Sequence, residues 1–261
     1  MEYIKSNCVK CGKEYSKLLL DSFGRIDFSD VEDSGLCQFC SEAESKTETD
    51  SLISDYLSDE KDNVRLCDGM RIRNEFYNAT LENFKAETES QKLALELSRK
   101  MVAGGLKKLV LMGGNGVGKT HLGCAVLKRL GGKRYSAYEL SALYRECYSP
   151  KAKKTELEVM KELSDLPCLM IDELGRTKGS EAEQNFMSLL IDELHTKGKS
   201  IIVTTNKIRK SDCQYAKQNA ANCLNCQRGL CIERFLDNDA LSRLSQNAGK
   251  VTVTGKDFRR Q

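Results

Sequence analysis

Short apolar runs alternate with helical stretches through the middle of the chain. Leu109 to Met112 is unbroken apolar sequence, which predicts a strand buried on both faces, since a half-exposed strand would alternate with period two. Cys168 to Ile171 reads the same way, and Ser200 to Thr205 adds the β-branched residues that favour strands. Arg134 to Tyr138 is a shorter strand candidate, with a helix from Glu139 onward. Helical patterns cover Lys119 to Leu130 and Glu181 to His195. Upstream, Leu81 to Val102 lacks Gly and Pro and repeats Leu93, Leu97 and Met101 at helical spacing, so a helix is expected there, stopped by Gly104 and Gly105. Strands and helices in this order predict an α/β chain with a parallel sheet flanked by helices. No internal repeat is visible.

Composition divides that picture in two. The 261 residues suit one domain with an attachment or two modest domains, and 40% hydrophobic against 30% charged residues is a globular balance. No stretch approaches the ~20 consecutive apolar residues of a membrane helix. The opening MEYIKSNCVKCGKEYS has no apolar core of a secretory signal, so the expected location is cytoplasmic. Met1 to Asp62 carries 7 basic and 15 acidic residues, a net −8, whereas Asn63 to Gln261 carries 34 and 23, a net +11. Ser41 to Asp62 is rich in Ser, Thr and acid and poor in large apolar residues, so it reads as an acidic linker with a brief helix around Leu52 to Leu57. The expected organisation is a small domain over 1–40, a linker over 41–62 and a larger domain over 63–261.

The larger domain carries a phosphate-binding signature. Gly113, Gly114, Asn115, Gly116, Val117, Gly118, Lys119 and Thr120 fit G-x-x-x-x-G-K-[ST] between an apolar strand and a helix, the context the motif requires. Glycines let backbone N–H groups turn inward around phosphate, and the following helix directs its positive end at the same anion. Lys119 would reach the β- and γ-phosphates of ATP, and the Thr120 hydroxyl would ligate Mg²⁺. Cys168 to Ile171 runs into Asp172 and Glu173, a buried strand ending in two carboxylates. Asp172 would hold the magnesium through its water shell, and Glu173 would polarise the attacking water, which separates hydrolysis from nucleotide binding alone. The strand IIVTTN ends at Asn206, which either positions the lytic water or caps the strand.

GNGVGKTHL, LMIDELG, IIVTTN and ALSRL, in that order, resemble the helicase-loader and transposition-helper branch of the AAA+ ATPases, the DnaC, DnaI and IstB group. The resemblance covers about Asn74 to Arg260 and implies a P-loop AAA+ sheet. It assigns Lys119 and Thr120 to the Walker A motif, Asp172 and Glu173 to Walker B, and Asn206 to sensor 1. It makes Arg243 an arginine finger that reaches a neighbouring subunit's nucleotide, which implies self-association into an AAA+ oligomer; a solvated helix Arg is the alternative. YNATLENF, Tyr77 to Phe84, resembles the family segment near adenine. Two positions depart from the pattern. Asp192 is followed by Glu193 and Leu194 where arginines are common, and Asp239 stands one turn before Arg243.

The 12 cysteines raise a separate question. In a reducing compartment, thiols bind metal or pack in a core more often than they pair. Cys8-x₂-Cys11 and Cys37-x₂-Cys40 are two knuckles with the spacing of a closed, four-thiolate structural zinc site, and a segment of roughly 40 residues needs such a staple. The expected front unit is therefore a zinc ribbon, and its acidity favours a protein partner over a polyanion. Cys213, Cys223, Cys226 and Cys231 form a second set in a polar stretch, read as an insertion over 211–232. Zinc is the preferred reading there, with an iron–sulfur cluster or unligated thiols as the others. Cys67, Cys124, Cys147 and Cys168 remain, of which Cys124 and Cys168 read as small hydrophobes.

The resemblance implies a DNA-replication ATPase: a loader whose zinc ribbon recruits a replicative DNA helicase and whose motor places it on single-stranded DNA. An IstB-like helper that marks target DNA for a transposase is the first alternative. A non-hydrolysing adaptor acting through two zinc modules is the second.

Overall fold

A computed structural model describes residues 3–7, 14–18, 60–176, 179–208 and 231–260. The chain divides into two units, Met1–Asp59 and Glu60–Gln261. In the first, β1 (Tyr3–Asn7) pairs antiparallel with β2 (Glu14–Leu18), Tyr3 opposite Leu18 and Asn7 opposite Glu14.

The second unit is built on five parallel strands: β3 (Lys108–Gly113), β4 (Lys133–Ser136), β5 (Cys168–Leu174), β6 (Ser200–Thr205) and β7 (Ala248–Val253). Their order across the sheet is β4-β5-β6-β3-β7. The unbroken apolar strands are explained by two cores, one on each face. Leu109, Leu111, Met170, Ile202 and Val251 pack with α1 (Glu60–Gly69), α2 (Glu89–Val102) and α3 (Lys119–Leu130). Val110, Met112, Leu169, Ile171, Ile201 and Val203 pack with α4 (Ala137–Glu146), α5 (Glu156–Ser164), α6 (Glu181–Thr196) and α7 (Asn238–Ser245). This is the P-loop AAA+ arrangement of a parallel sheet between helical layers.

Within the described residues the elements expected from the pattern are present, while β1, β2, α1, α5 and β7 were not among them; where an expected element differs in its bounds, the cause is local. The helix expected from Leu81 begins at Glu89. Thr88 caps it in a reciprocal box with Gln91, the Thr88 hydroxyl accepting from the Gln91 N–H. That cap leaves 80–87 free to cross the phosphate loop. Leu93 faces solvent, and the buried stripe is Gln91, Ala94, Ser98 and Met101. The strand expected over Arg134 to Tyr138 closes at Ser136, because Ser136 and Glu139 form another capping box that starts α4 at Ala137. The helix expected at Leu52 to Leu57 lies outside the described residues. Among the described residues no helix is long and apolar enough to cross a membrane.

Candidate nucleotide site

The C-terminal ends of β3, β5 and β6 converge where an open α/β sheet binds ligands. Gly118 takes φ +98° to turn the loop into α3, and a Cβ there would lie 2.4 Å from the Phe84 ring. Only glycine lets the loop and that ring approach so closely. Beside the loop lies a cavity of about 270 Å³ whose lining includes Asn115, Lys119, Thr120, Glu173, Asn206, Phe84 and Arg259.

Lys119 is buried, and its ammonium donates to the Gly113 carbonyl at 3.0 Å and to the Gly114 carbonyl. Burial holds its pKa down at about 8; nearby Asp172 opposes the shift and Arg259 adds to it. Behind Thr120 lies Asp172, fully buried. Its Oδ1 accepts from the Thr120 hydroxyl at 3.1 Å and the Thr204 hydroxyl at 2.5 Å. Its Oδ2 accepts both Nε and Nη2 of Arg134, at 2.9 and 2.7 Å. The hard oxygen donors of Thr120 and Asp172 suit Mg²⁺.

Glu173 faces the cavity because β5 is irregular there. The register with β6 shifts between Ile171 and Leu174, and Glu173 adopts φ +57°. Its N–H donates to the Thr204 hydroxyl at 3.0 Å, and its carboxylate accepts from Arg176 Nη1 at 2.6 Å. Asn206 Nδ2 donates to Asn115 Oδ1 at 2.6 Å, linking the end of β6 to the loop.

The structure thus brings Asn115, Gly116, Gly118, Lys119, Thr120, Glu173 and Asn206 to one cavity, with Asp172 beneath it and Gly113 and Gly114 supplying carbonyls to Lys119. Val117 is buried. Arg243 is elsewhere: on α7, its Nη1 lies 2.7 Å from Asp192 Oδ2, and it does not line this cavity. Cys8, Cys11, Cys37, Cys40, Cys213, Cys223 and Cys226 lie outside the described residues. Cys231 is buried, and its bridge to Ile208 brings the two ends of the 209–230 segment side by side. Among the described residues no cluster of three or more His, Cys, Asp or Glu is placed to hold a metal. Burial pushes the Cys124 and Cys168 thiols up to about 12, as expected of core cysteines.

The sequence reading missed several lining residues. Phe76, Lys85, His121, Phe258 and Arg259 all reach the cavity. The His121 ring sits 5.4 Å from that of Phe84, and burial lowers its pKa. Phe258 N–H donates to the Gly116 carbonyl at 3.1 Å, which lays the C-terminal turn over the loop. No motif marks Phe258 or Arg259. Phe84 lies in YNATLENF and was within reach of the resemblance.

The model of the family described as IstB-like ATP binding protein matches residues 40–220. The chain belongs to that family. Relatives of this IstB-like chain include the replicative helicase loader DnaC of Buchnera aphidicola subsp. Acyrthosiphon pisum (strain APS), 25% identical over 143 residues, which are 52% of this chain and 58% of that one. The match therefore spans little more than half of the curated relative. The crystal structure of the DnaC helicase loader shares 22% identity at TM-score 0.56, over 70% of this chain and all of that one. That of DnaI shares 20% at TM-score 0.51, over 71% of this chain and 93% of that one. These likenesses establish the AAA+ fold of the IstB-like domain. The Arg243 segment and β7 lie beyond the family match.

Proposed function

We propose that the chain is an ATP-hydrolysing helicase loader. The observation carrying this reading is the single cavity shared by Lys119, Thr120, Glu173 and Asn206, with Asp172 beneath it. In this reading, ATP phosphates replace the loop carbonyls as acceptors for Lys119, and the base lies toward Phe84 and His121. Bound Mg²⁺ would neutralise charge on the β- and γ-phosphates, with Thr120 and Asp172 holding it. Glu173 takes the proton of the attacking water, and Asn206 orients that water. Arg243 serves a neighbouring copy's site; its position outside its own cavity supports that role. The ribbon over 1–40, stapled by zinc on Cys8, Cys11, Cys37 and Cys40, recruits the helicase. The acidic linker over 41–62 gives it reach, and the 63–261 motor engages single-stranded DNA. Zinc on Cys213, Cys223, Cys226 and Cys231 folds a second module, whose adjacent ends support a self-contained insertion.

Family membership favours a second reading, the IstB-type transposition helper. The two separate by co-purification: the full chain captures a replicative helicase in the first and a transposase in the second. A purified chain that binds ATP without turnover would leave the adaptor reading.

Arg259 gives a smaller test of the same site. Its charge lies close enough to depress the Lys119 pKa, so it adds positive field where phosphate would bind. Arg259→Ala is expected to weaken nucleotide binding about fivefold, with the loss fading at high salt because the residue is exposed. Titration with a fluorescent ATP analogue at two ionic strengths measures it.

A further inference from the structure

Arg134 is anomalous as a strand residue. It lies on β4 with only 3% of its surface exposed, and a buried arginine needs a partner for its charge. Ser136, two residues on, pairs with Asp172 across the sheet, so Arg134 and Asp172 sit close on the same face. The guanidinium grips Asp172 Oδ2 through Nε and Nη2 at 2.9 and 2.7 Å, and its Nη1 lies 3.5 Å from Glu139 Oε2. Arg73 Nη2 adds a second, looser positive charge 3.9 Å from the same carboxylate oxygen. With Thr120 and Thr204 on Oδ1, both oxygens of the Asp172 carboxylate are engaged, the Thr120 hydrogen bond being the longest at 3.1 Å.

We propose that Arg134 is a positioning residue that neutralises Asp172 before Mg²⁺ arrives, and so sets how strongly nucleotide binding depends on the metal. This inference rests on the reading of the cavity as an ATP site. A buried carboxylate beside bound phosphates repels them, and either a cation from solvent or a fixed guanidinium relieves that repulsion. Here the guanidinium is built in. ATP can therefore bind the metal-free site with the carboxylate already countered, and Mg²⁺ adds less than it would beside a bare carboxylate. The bidentate grip also holds the Asp172 oxygens at fixed positions beside Thr120, which a point-charge lysine would do less well.

The test compares nucleotide affinity in Mg²⁺ with affinity in EDTA at constant ionic strength, using a fluorescent ATP analogue and the full chain. The ratio of the two affinities is the readout, because a purely structural role for Arg134 would lower both alike. Arg134→Gln is expected to raise the ratio about tenfold or more, chiefly by weakening binding in EDTA. Arg134→Lys keeps the charge and is expected to stay near the parent ratio. A folded R134Q with the parent's ratio overturns the proposal, as does an R134K that rises as far as R134Q. Should R134Q fail to fold, D172N and R134Q/D172N carry the test. In D172N the guanidinium keeps only the looser Glu139 pair and repels the cation, so the ratio falls below the parent's; adding R134Q raises it severalfold, and equal ratios overturn the proposal. A parent chain that binds no nucleotide in either buffer overturns the ATP-site reading itself. Parent binding with unmoved variant ratios overturns only the role of Arg134.

Discussion

Glu173→Gln is expected to lower steady-state ATP turnover by about 10²–10⁴-fold, the range for removing a positioned general base, while nucleotide affinity stays near that of the parent. Glutamine keeps the length and the hydrogen-bonding reach of the side chain but cannot accept the proton of an attacking water. It also leaves the backbone as it is. That matters because Glu173 sits at φ +57°, a conformation costing on the order of 1 kcal/mol or more for a residue with a Cβ. The N–H bond to Thr204 and the register shift beside Leu174 hold it there. Glu173→Gly separates the two effects. It relaxes the strain and is expected to raise stability by about 1 kcal/mol, yet it too abolishes turnover. The carboxylate accepts from Arg176, so a role as base would require its release from that partner. Single-turnover hydrolysis and equilibrium binding, run together on the three proteins, check the prediction. Parent-like turnover by the Gln variant would remove Glu173 from the mechanism.

Much of the site was legible because its chemistry is local in sequence. Gly113 to Thr120 lie together along the chain, and Asp172 and Glu173 end a strand whose apolar run locates it. What brings Asn206 to them is the sheet order, in which β6 sits between β5 and β3. No motif states that order; the resemblance pointed to Asn206 by assigning it to sensor 1, without giving the order of the strands. The missed residues arrive by long-range packing. Phe258 reaches Gly116 from the far end of the chain, after a strand, β7, whose alternating burial leaves only Gly249, Val251 and Val253 inside. Such a half-exposed edge strand gives a weaker signal than the apolar runs of β3 or β5. Arg134 was visible only as a charge in a weak strand; its meaning depends on Asp172, 38 residues away. The later start of α2 has a related cause. Periodicity extends a helix until something stops it, and the stop here was the Thr88–Gln91 cap rather than Gly or Pro.

Lys119→Met is expected to reduce nucleotide affinity by about 10²–10⁴-fold, since two charge-assisted bonds to phosphate are worth roughly 3–6 kcal/mol together. The same substitution is expected not to destabilise the empty protein. The folded-state pKa of about 8 lies below the ordinary 10.5, so keeping Lys119 protonated at neutral pH costs about 3 kcal/mol. Methionine removes that cost and forgoes two bonds to the Gly113 and Gly114 carbonyls, about 1 kcal/mol each. The balance is a gain of about 1 kcal/mol without nucleotide. The pH dependence has a definite sign. Between about 8 and 10.5 the unfolded chain holds a proton on this group that the folded chain has lost, so the parent gains stability as pH rises through that window. Lys119→Met loses that rise. Nucleotide affinity of the parent runs the other way, weakening as the ammonium deprotonates above about 8. Denaturant unfolding at pH 7 and pH 10, with and without ATP, resolves both. A Lys119→Met protein that unfolds more easily than the parent at neutral pH would show that the carbonyl bonds outweigh the buried charge. The loop would then be held shut by its lysine rather than kept ready by it.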